Sequence, residues 1–220
     1  QGTDGITRRL TEHLVYSGVT VLIAALVALP LGLWIGHTGR ATWLVSASNA
    51  ARAVPSLGLL FALSLFVGPH LRGEAAFVLP SLVVLVLLAI PPLLAGTYAG
   101  VEAVDPGARD AAKGMGMGAL QLLWQVELPC ALPLILSGLR GAVLQVIGTA
   151  TIAAYISLGG LGAFLVNGLA SGTYEVVAGG AVLVAALALV ADLALAAMTR
   201  LIVSPGLREA GSRRRQPAPA

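Results

Sequence analysis

Four long stretches without a charged residue restrict what this chain can fold into. They cover residues 13–39, 53–71, 75–101 and 141–174. A helix rises about 1.5 Å per residue and needs about 20 apolar residues to cross the hydrocarbon core of a bilayer. Charged types make up only 10% of the chain, whereas a soluble domain carries about 25%. The sequence therefore predicts an all-α integral membrane protein, not a soluble enzyme or a disulfide-stapled secreted module.

Five transmembrane helices are expected from these stretches and from the apolar segment that contains Asp192. We predict them at about residues 14–36, 54–70, 76–99, 130–155 and 177–199. The run Val83–Leu88 does not alternate in polarity, as a strand of a membrane β-barrel does. The fourth charge-free stretch is too long for one span and ends in the run Gly159–Gly162. We therefore expect a re-entrant or surface segment after the fourth helix.

The basic residues predict an orientation with the N-terminus outside and the C-terminus inside, because cytoplasmic loops carry an excess of Lys and Arg. Residues 1–13 then form an extracytoplasmic segment, residues 14–203 the transmembrane domain, and residues 204–220 a disordered cytoplasmic tail. The tail contains the cluster Arg213–Arg215. The cytoplasmic set is Arg40, Arg52, Arg109, Lys113, Arg200, Arg208, Arg213, Arg214 and Arg215, and the outer set is Arg8, Arg9 and Arg72. We interpret the net charge of +3 as a membrane flank that contacts lipid, not as a nucleic-acid-binding surface.

The polar segment at about residues 100–128 is long for a loop between two membrane helices, and this orientation makes it cytoplasmic. Asp105 followed by Pro106 is typical of a helix start, because the side chain caps the helix and proline fits its first position. Gly114, Gly116 and Gly118 follow. We expect two short helices joined at these glycines, where the missing Cβ atoms allow another backbone to approach closely.

This loop contains a spaced pattern. Asp110-Ala111-Ala112 is followed, after three residues, by Gly116, and after nine more by Val126, one residue, and Leu128-Pro129. The pattern resembles the EAA loop of ABC-importer permeases, with Asp110 in place of Glu and Val126 in place of Ile. The resemblance implies a type I importer permease (MetI-like) fold whose loop couples to a separate ATPase. The coupling residues that it implies are Asp110, Ala111, Ala112, Gly116, Trp124, Val126, Leu128 and Pro129. Trp124 is equally well interpreted as a tryptophan at the membrane interface.

Further segments resemble the osmoprotectant branch of these permeases, whose substrates are glycine betaine, carnitine, choline and proline betaine. They are Leu29–Gly32, Ala53–Leu57, Gly148–Ala154 and Gly159–Gly162. The resemblance implies a solute path whose lining or gating residues are Pro55, Ser56, Thr149, Thr151, Tyr155, Gly159, Gly160 and Gly162. Methionine-importer permeases share the EAA loop and a five-helix size, so they, or another small-solute ABC importer permease, remain the alternative.

The chain has no Walker A motif with which to bind ATP. Its single lysine, Lys113, is followed by Gly114, whereas a P-loop needs Gly-Lys before Ser or Thr. The three histidines are scattered, so we predict no metal site. We also predict no cofactor-binding and no catalytic residues in this chain. The resemblance implies that partner ATPase subunits bind ATP and Mg²⁺, that a second permease chain, identical or paralogous, completes the path, and that an extracytoplasmic solute-binding protein delivers the solute. It places the chain in the bacterial cytoplasmic membrane as a multi-pass protein.

Arg140 and Asp192 are the charges expected inside spans. Their predicted depths in the fourth and fifth helices are similar, and a lone charge at such depth is costly. We therefore expect them to pair or to share a wet vestibule. A secondary transporter or channel is the rival class, but it usually carries ion-coupling carboxylates in its spans, and Asp192 is the one acidic residue well inside a predicted span. An intramembrane enzyme needs convergent His, Ser or carboxylate groups, and none is apparent.

Overall fold

The computed structural model describes residues 3–203, in which every regular element is a helix. The predicted tail at 204–220 and the first two residues lie outside this range. The helices are α1 (Thr3–Thr38), α2 (Trp43–Ala51), α3 (Ser56–Val67), α4 (Ala75–Glu102), α5 (Pro106–Gly114), α6 (Ala119–Leu122), α7 (Leu128–Ala153), α8 (Gly162–Ser171) and α9 (Tyr174–Ile202). A π-helical turn, Leu123–Glu127, joins α6 to α7, and 3₁₀ turns follow α3 and α7.

Four helices within this range are long and apolar enough to cross a membrane, and the number reaches five if the bent pair α2 and α3 counts as one crossing. The prediction of an all-helical membrane protein is confirmed. Helix α1 starts before the span predicted at 14–36. Its early turns carry Glu12, which pairs with Arg8 at 2.9 Å and Arg9 at 3.0 Å, and such contacts three and four residues apart support a helix in water.

The helix predicted at 54–70 corresponds to α3 and the 3₁₀ turn after it, which together cover Ser56–His70. Its α-helical part, α3, has 12 residues and is about 18 Å long at 1.5 Å per residue, so it is too short to cross alone. Helix α2 precedes it at an angle of 89°. The break lies before Pro55, because proline disfavours helical geometry in the residue that precedes it. What the sequence did not predict is α2 and its sharp bend into α3.

The centre of the bundle is built from α1, α4 and α7, which approach closely because small residues lie where they meet. A Cβ added to Gly96 of α4 would lie 2.8 Å from the Leu134 carbonyl oxygen of α7. One added to Gly138 of α7 would lie 2.7 Å from the Pro92 carbonyl oxygen of α4. Small residues at contact positions are typical of membrane helix packing, where backbones must come close to gain van der Waals contact.

The bundle has two distinct ends. At one end, which we call the loop end, α1 finishes, α7 begins and α5 and α6 lie between α4 and α7. At the opposite end, which we call the turn end, α1 begins beside the glycine turn Gly159–Gly162. Helix α8 is the ten-residue piece that follows this turn, as the sequence predicts for the excess length of the fourth charge-free stretch.

Candidate functional site: the loop between α4 and α7

The loop begins with the predicted helix start. The Asp105 carboxylate accepts hydrogen bonds from the backbone N–H groups of Gly107, at 2.7 Å, and Ala108, at 3.3 Å. Pro106 occupies the first helical position of α5, where its missing N–H costs nothing. These bonds satisfy donors that the first turn of a helix otherwise leaves unpaired, so α5 has a fixed starting point beside the end of α4.

Helix α5 ends in a glycine turn at Gly116. The Gly116 N–H donates to the Lys113 carbonyl at 2.9 Å, and the Met117 N–H donates to the Ala112 carbonyl at 3.2 Å. Both bonds together are the Schellman arrangement, in which the residue after the helix cap is left-handed. Gly116 has φ +84°, a value that glycine adopts without steric cost. A Cβ added at Gly116 would have no atom of this chain within 4 Å. The backbone conformation, and not close packing, therefore requires the glycine.

The eight predicted coupling residues fall into two groups. The first group is exposed and consists of Asp110, Ala111, Gly116 and Trp124. The second group is buried or partly buried and consists of Ala112, Val126, Leu128 and Pro129. Leu128 packs against the core cluster of Val101, Ala131 and Ile135. The first group is free to meet another protein, while the second fastens the loop to the transmembrane helices. Met115 and Leu120 are also exposed, at 71% and 72%, and sequence reasoning did not single them out.

A buried carboxylate that sequence reasoning missed lies under the loop. Glu127 is 1% exposed, and its Oε2 lies 2.6 Å from Nδ1 of His37, at the end of α1. Arg109 Nε of α5 lies 2.9 Å from Glu127 Oε1, an ion-pair contact without the alignment of a hydrogen bond. Arg109 Nη2 also donates to the Val101 carbonyl at 2.6 Å. These contacts join α1, the end of α4, α5 and the start of α7.

One signal for this cluster was present in the sequence. Glu127 stands between apolar Val126 and Leu128, and acidic residues are almost never buried unless they are paired. A cavity of about 280 Å³ adjoins the cluster, lined by His37, Arg109, Lys113, Met117, Ala119, Leu122 and Glu127. Among the described residues, no group of three or more His, Cys, Asp or Glu side chains is arranged to hold a metal ion.

The eight predicted path residues belong to α3, α7 and the turns that follow α7. Pro55 and Ser56 lie at the start of α3, whereas Tyr155 and the glycines follow the far end of α7. The hydroxyls of Thr149 and Thr151 donate to carbonyls four residues earlier in α7, at 2.8 and 3.0 Å, as threonine does in apolar surroundings. Their role in a solute path stays a prediction.

The glycine turn packs tightly against α1. Gly160 N–H donates to Glu12 Oε2 at 3.1 Å, and a Cβ on Gly160 would lie 3.0 Å from His13 Nδ1. His13 is buried, with its Nε2 3.2 Å from the Ile147 carbonyl oxygen. A Cβ on Gly162 would lie 2.2 Å from the Thr151 carbonyl oxygen. Close packing therefore accounts for glycine at these positions without any contact to solute.

Arg140 and Asp192 form the ion pair that their similar depths predict. Nε and Nη2 of Arg140 donate to the two carboxylate oxygens of Asp192, which joins α7 to α9. This two-pronged geometry is the strongest that arginine makes with a carboxylate. Both side chains remain partly exposed, at 45% and 23%.

Exchanging these two charges is expected to preserve the pair. Arg140→Asp and Asp192→Arg should each reduce the yield of monodisperse protein after detergent extraction, because each leaves two like charges inside the membrane. The double variant should recover more protein than either single variant. Recovery no better than the singles would show that the pair does not stabilise the α7–α9 contact.

Comparisons with known proteins agree with this architecture. The family model described as "Binding-protein-dependent transport system inner membrane component" matches residues 20–204. The carnitine transport permease protein OpuCB of Listeria monocytogenes is 34% identical over 90% of this chain and 88% of its own length. The osmoprotectant import permease protein OsmW of Salmonella typhimurium (strain LT2) is 34% identical over 90% of this chain and 91% of its own length.

Solved structures share the fold. A structure of the MetNI methionine ABC transporter in an inward-facing conformation superposes with a TM-score of 0.78 at 21% identity, over 92% of this chain and 98% of that one. An amino acid ABC transporter crystallised with histidines superposes with a TM-score of 0.69 at 22% identity, over 90% of this chain and 92% of that one. At these identities the likeness is one of fold.

Proposed function

Since this chain belongs to the family of binding-protein-dependent transport system inner membrane components, we propose that it imports compatible solutes that carry a quaternary ammonium group. The chain is a multi-pass permease subunit of an ABC importer in the cytoplasmic membrane. The proposed solutes are glycine betaine, carnitine, choline and proline betaine. The observation that carries this proposal is the 34% identity, over nine tenths of the chain, to permeases named for carnitine and osmoprotectants.

The loop between α4 and α7 is the proposed docking site for a separate ATPase subunit. Its exposed residues Asp110, Ala111, Met115, Leu120 and Trp124 offer apolar and acidic contacts. The exposed Asp110–Lys113 pair, 4.0 Å apart, contributes little to stability, so the Asp110 carboxylate is available to a partner. ATP and Mg²⁺ bind to that partner, and two ATPase subunits act on a pair of permease chains, identical or paralogous.

The distribution of basic residues supports a cytoplasmic loop end. Within residues 3–203, the loop end carries Arg40, Arg109, Lys113 and Arg200, and the turn end carries Arg8, Arg9 and Arg72. Cytoplasmic loops are enriched in Lys and Arg. The turn end then faces outward, where an extracytoplasmic binding protein delivers the solute.

Solute choice rests largely with that binding protein. Quaternary ammonium groups are recognised by aromatic cages, and aromatic residues make up only 5% of this chain. Tyr155, half-exposed near the turn end, is the aromatic path candidate.

Uptake by a reconstituted complex tests this function. The chain, its cognate ATPase and its binding protein are placed in liposomes with ATP enclosed, and labelled glycine betaine, carnitine, choline and methionine are offered separately. Accumulation of a quaternary ammonium solute, abolished by a hydrolysis-deficient ATPase, is the expected result. ATP-driven uptake of methionine, without uptake of the other solutes, would show that the chain is a methionine-importer permease instead. Uptake driven by an ion gradient without the ATPase would overturn the proposal.

A further inference from the structure

Helix α5 is attached to the rest of the chain by few side chains. Of its nine residues, Ala112 is buried and Arg109 half-buried, while the remaining residues are exposed. Arg109 is therefore the long side chain that attaches α5 to the helix bundle. It reaches the Glu127 carboxylate and the Val101 carbonyl oxygen, so it ties α5 to the start of α7 and to the end of α4.

Glu127 in turn connects α5 with α1. Its second oxygen lies 2.6 Å from His37 Nδ1, and an ionised carboxylate in this position accepts the hydrogen bond from the ring nitrogen. Glu127 is the last residue of the π-helical turn before α7, and π turns occur frequently at functional sites. One buried carboxylate thus joins the helix proposed to dock the ATPase to two central transmembrane helices.

We infer that Glu127 is the positioning residue of the coupling loop: it links α5 to α1 through His37 and to α7 through its own backbone, so that a displacement of α5 moves both helices. This inference rests on the proposed function, because it takes the ATPase to act on α5. Apolar packing alone lets a loop slide when it is pushed, whereas the Arg109–Glu127 ion pair and the His37–Glu127 hydrogen bond hold α5 to α7 and α1 at specific contacts. A specific attachment is needed to transmit movement from α5 to the transmembrane helices, because two sites are coupled only when both favour one of the same two arrangements of a structural element.

A matched pair of substitutions at His37 separates this role from a general effect on folding. His37→Asn keeps an N–H donor near the position of Nδ1, which bonds Glu127. His37→Gln keeps the same amide but places it near the position of Nε2, away from Glu127. Because His37 is partly exposed, at 20%, neither change leaves a deeply buried cavity. Glu127→Gln is the second variant, since it removes the negative charge that pairs with Arg109 and leaves one acceptor oxygen in place of two.

The measurement uses the complete complex of permease, ATPase and binding protein in liposomes. The readouts are the stimulation of ATP hydrolysis by the solute-loaded binding protein and the ATP consumed per solute imported, each per assembled complex. Glu102→Gln, an exposed carboxylate at the end of α4 and outside the Glu127 cluster, controls for loss of one negative charge. We expect His37→Gln and Glu127→Gln to retain the ATPase subunit but to lose about fivefold or more of the stimulation, which is the lower range of measured coupling between sites. His37→Asn and Glu102→Gln should behave as the unmodified chain does.

Two results would overturn the inference. Normal stimulation in both His37→Gln and Glu127→Gln would show that the link carries no coupling. A reduced amount of complex with unchanged stimulation per complex would show that the cluster only stabilises the fold. Failure of the proposed function is distinguishable, because the unmodified chain would then bind no ATPase and show no stimulation at all.

Discussion

A Gly116→Val variant is expected to insert into the membrane normally and to lose most of its transport. Gly116 has φ +84° in the turn that ends α5. A residue with a Cβ pays about 1–2 kcal/mol in the left-handed region, and a β-branched residue is a true outlier there. A penalty of about 1–2 kcal/mol lowers the population of a conformation by a factor of about 5–30. Because α5 would then end in a different direction, its exposed face would no longer meet the ATPase correctly.

Gly116→Asn is the informative companion of this variant. Asparagine and valine add similar bulk, but asparagine tolerates the left-handed region. Solute uptake and co-purification of the ATPase should therefore be recovered largely with Asn and lost with Val. Gly118→Ser, in the same loop at φ −71°, is the control for bulk at an ordinary backbone angle and should transport normally. Equal loss in Gly116→Asn and Gly116→Val would contradict the role given to the turn.

Gly162→Ala is expected to destabilise the whole protein. The added Cβ would lie 2.2 Å from the Thr151 carbonyl oxygen and 2.8 Å from Ala154 Cβ. Because the nearer atom belongs to the backbone, the start of α8 must move away from the end of α7. Forcing atoms into a packed interior costs about 1–3 kcal/mol and occasionally more. A lower melting temperature in detergent and poor recovery of monodisperse protein are the expected readouts.

Gly148→Ala is the matched control for that variant. Gly148 lies in the interior of α7, and a Cβ there meets nothing within 4 Å. Since alanine is favoured over glycine in a helix by about 1 kcal/mol, this variant should be as stable as the original or slightly more so. A Gly162→Ala protein with normal stability and altered uptake would instead favour the gating role that the sequence suggested for Gly162.

The elements that the sequence predicts well are those with a local physical cause. Charge-free stretches are visible in the chain itself, and so are the Asp105-Pro106 helix start and the glycine that ends α5. Helix α2 and its bend into α3 were missed because α2 lies between Arg40 and Arg52, in a charge-free segment too short to indicate a membrane span.

The Glu127 cluster shows why the rest could not be predicted. Its contact with His37 joins residues 90 positions apart, and no local sequence pattern indicates that two such distant residues lie in contact. Each histidine, considered alone, was a scattered polar residue. The close contacts of Gly96 and Gly138 likewise depend on how two helices cross, which is a property of the packed bundle and not of either helix alone.

Photo-cross-linking from the loop tests most directly whether the ATPase docks at the loop end. Cys130, the single cysteine, is exposed and is first replaced by serine. A cysteine is then introduced at exposed Ala111 in the loop or, as a control, at exposed Ala170 of α8 near the turn end, and is labelled with a photoactivatable maleimide in membranes that contain the assembled complex. The predicted result is an adduct with the ATPase subunit from Ala111→Cys and none from Ala170→Cys. An adduct with the ATPase from Ala170→Cys, and none from Ala111→Cys, would contradict the assignment of the loop as the coupling element.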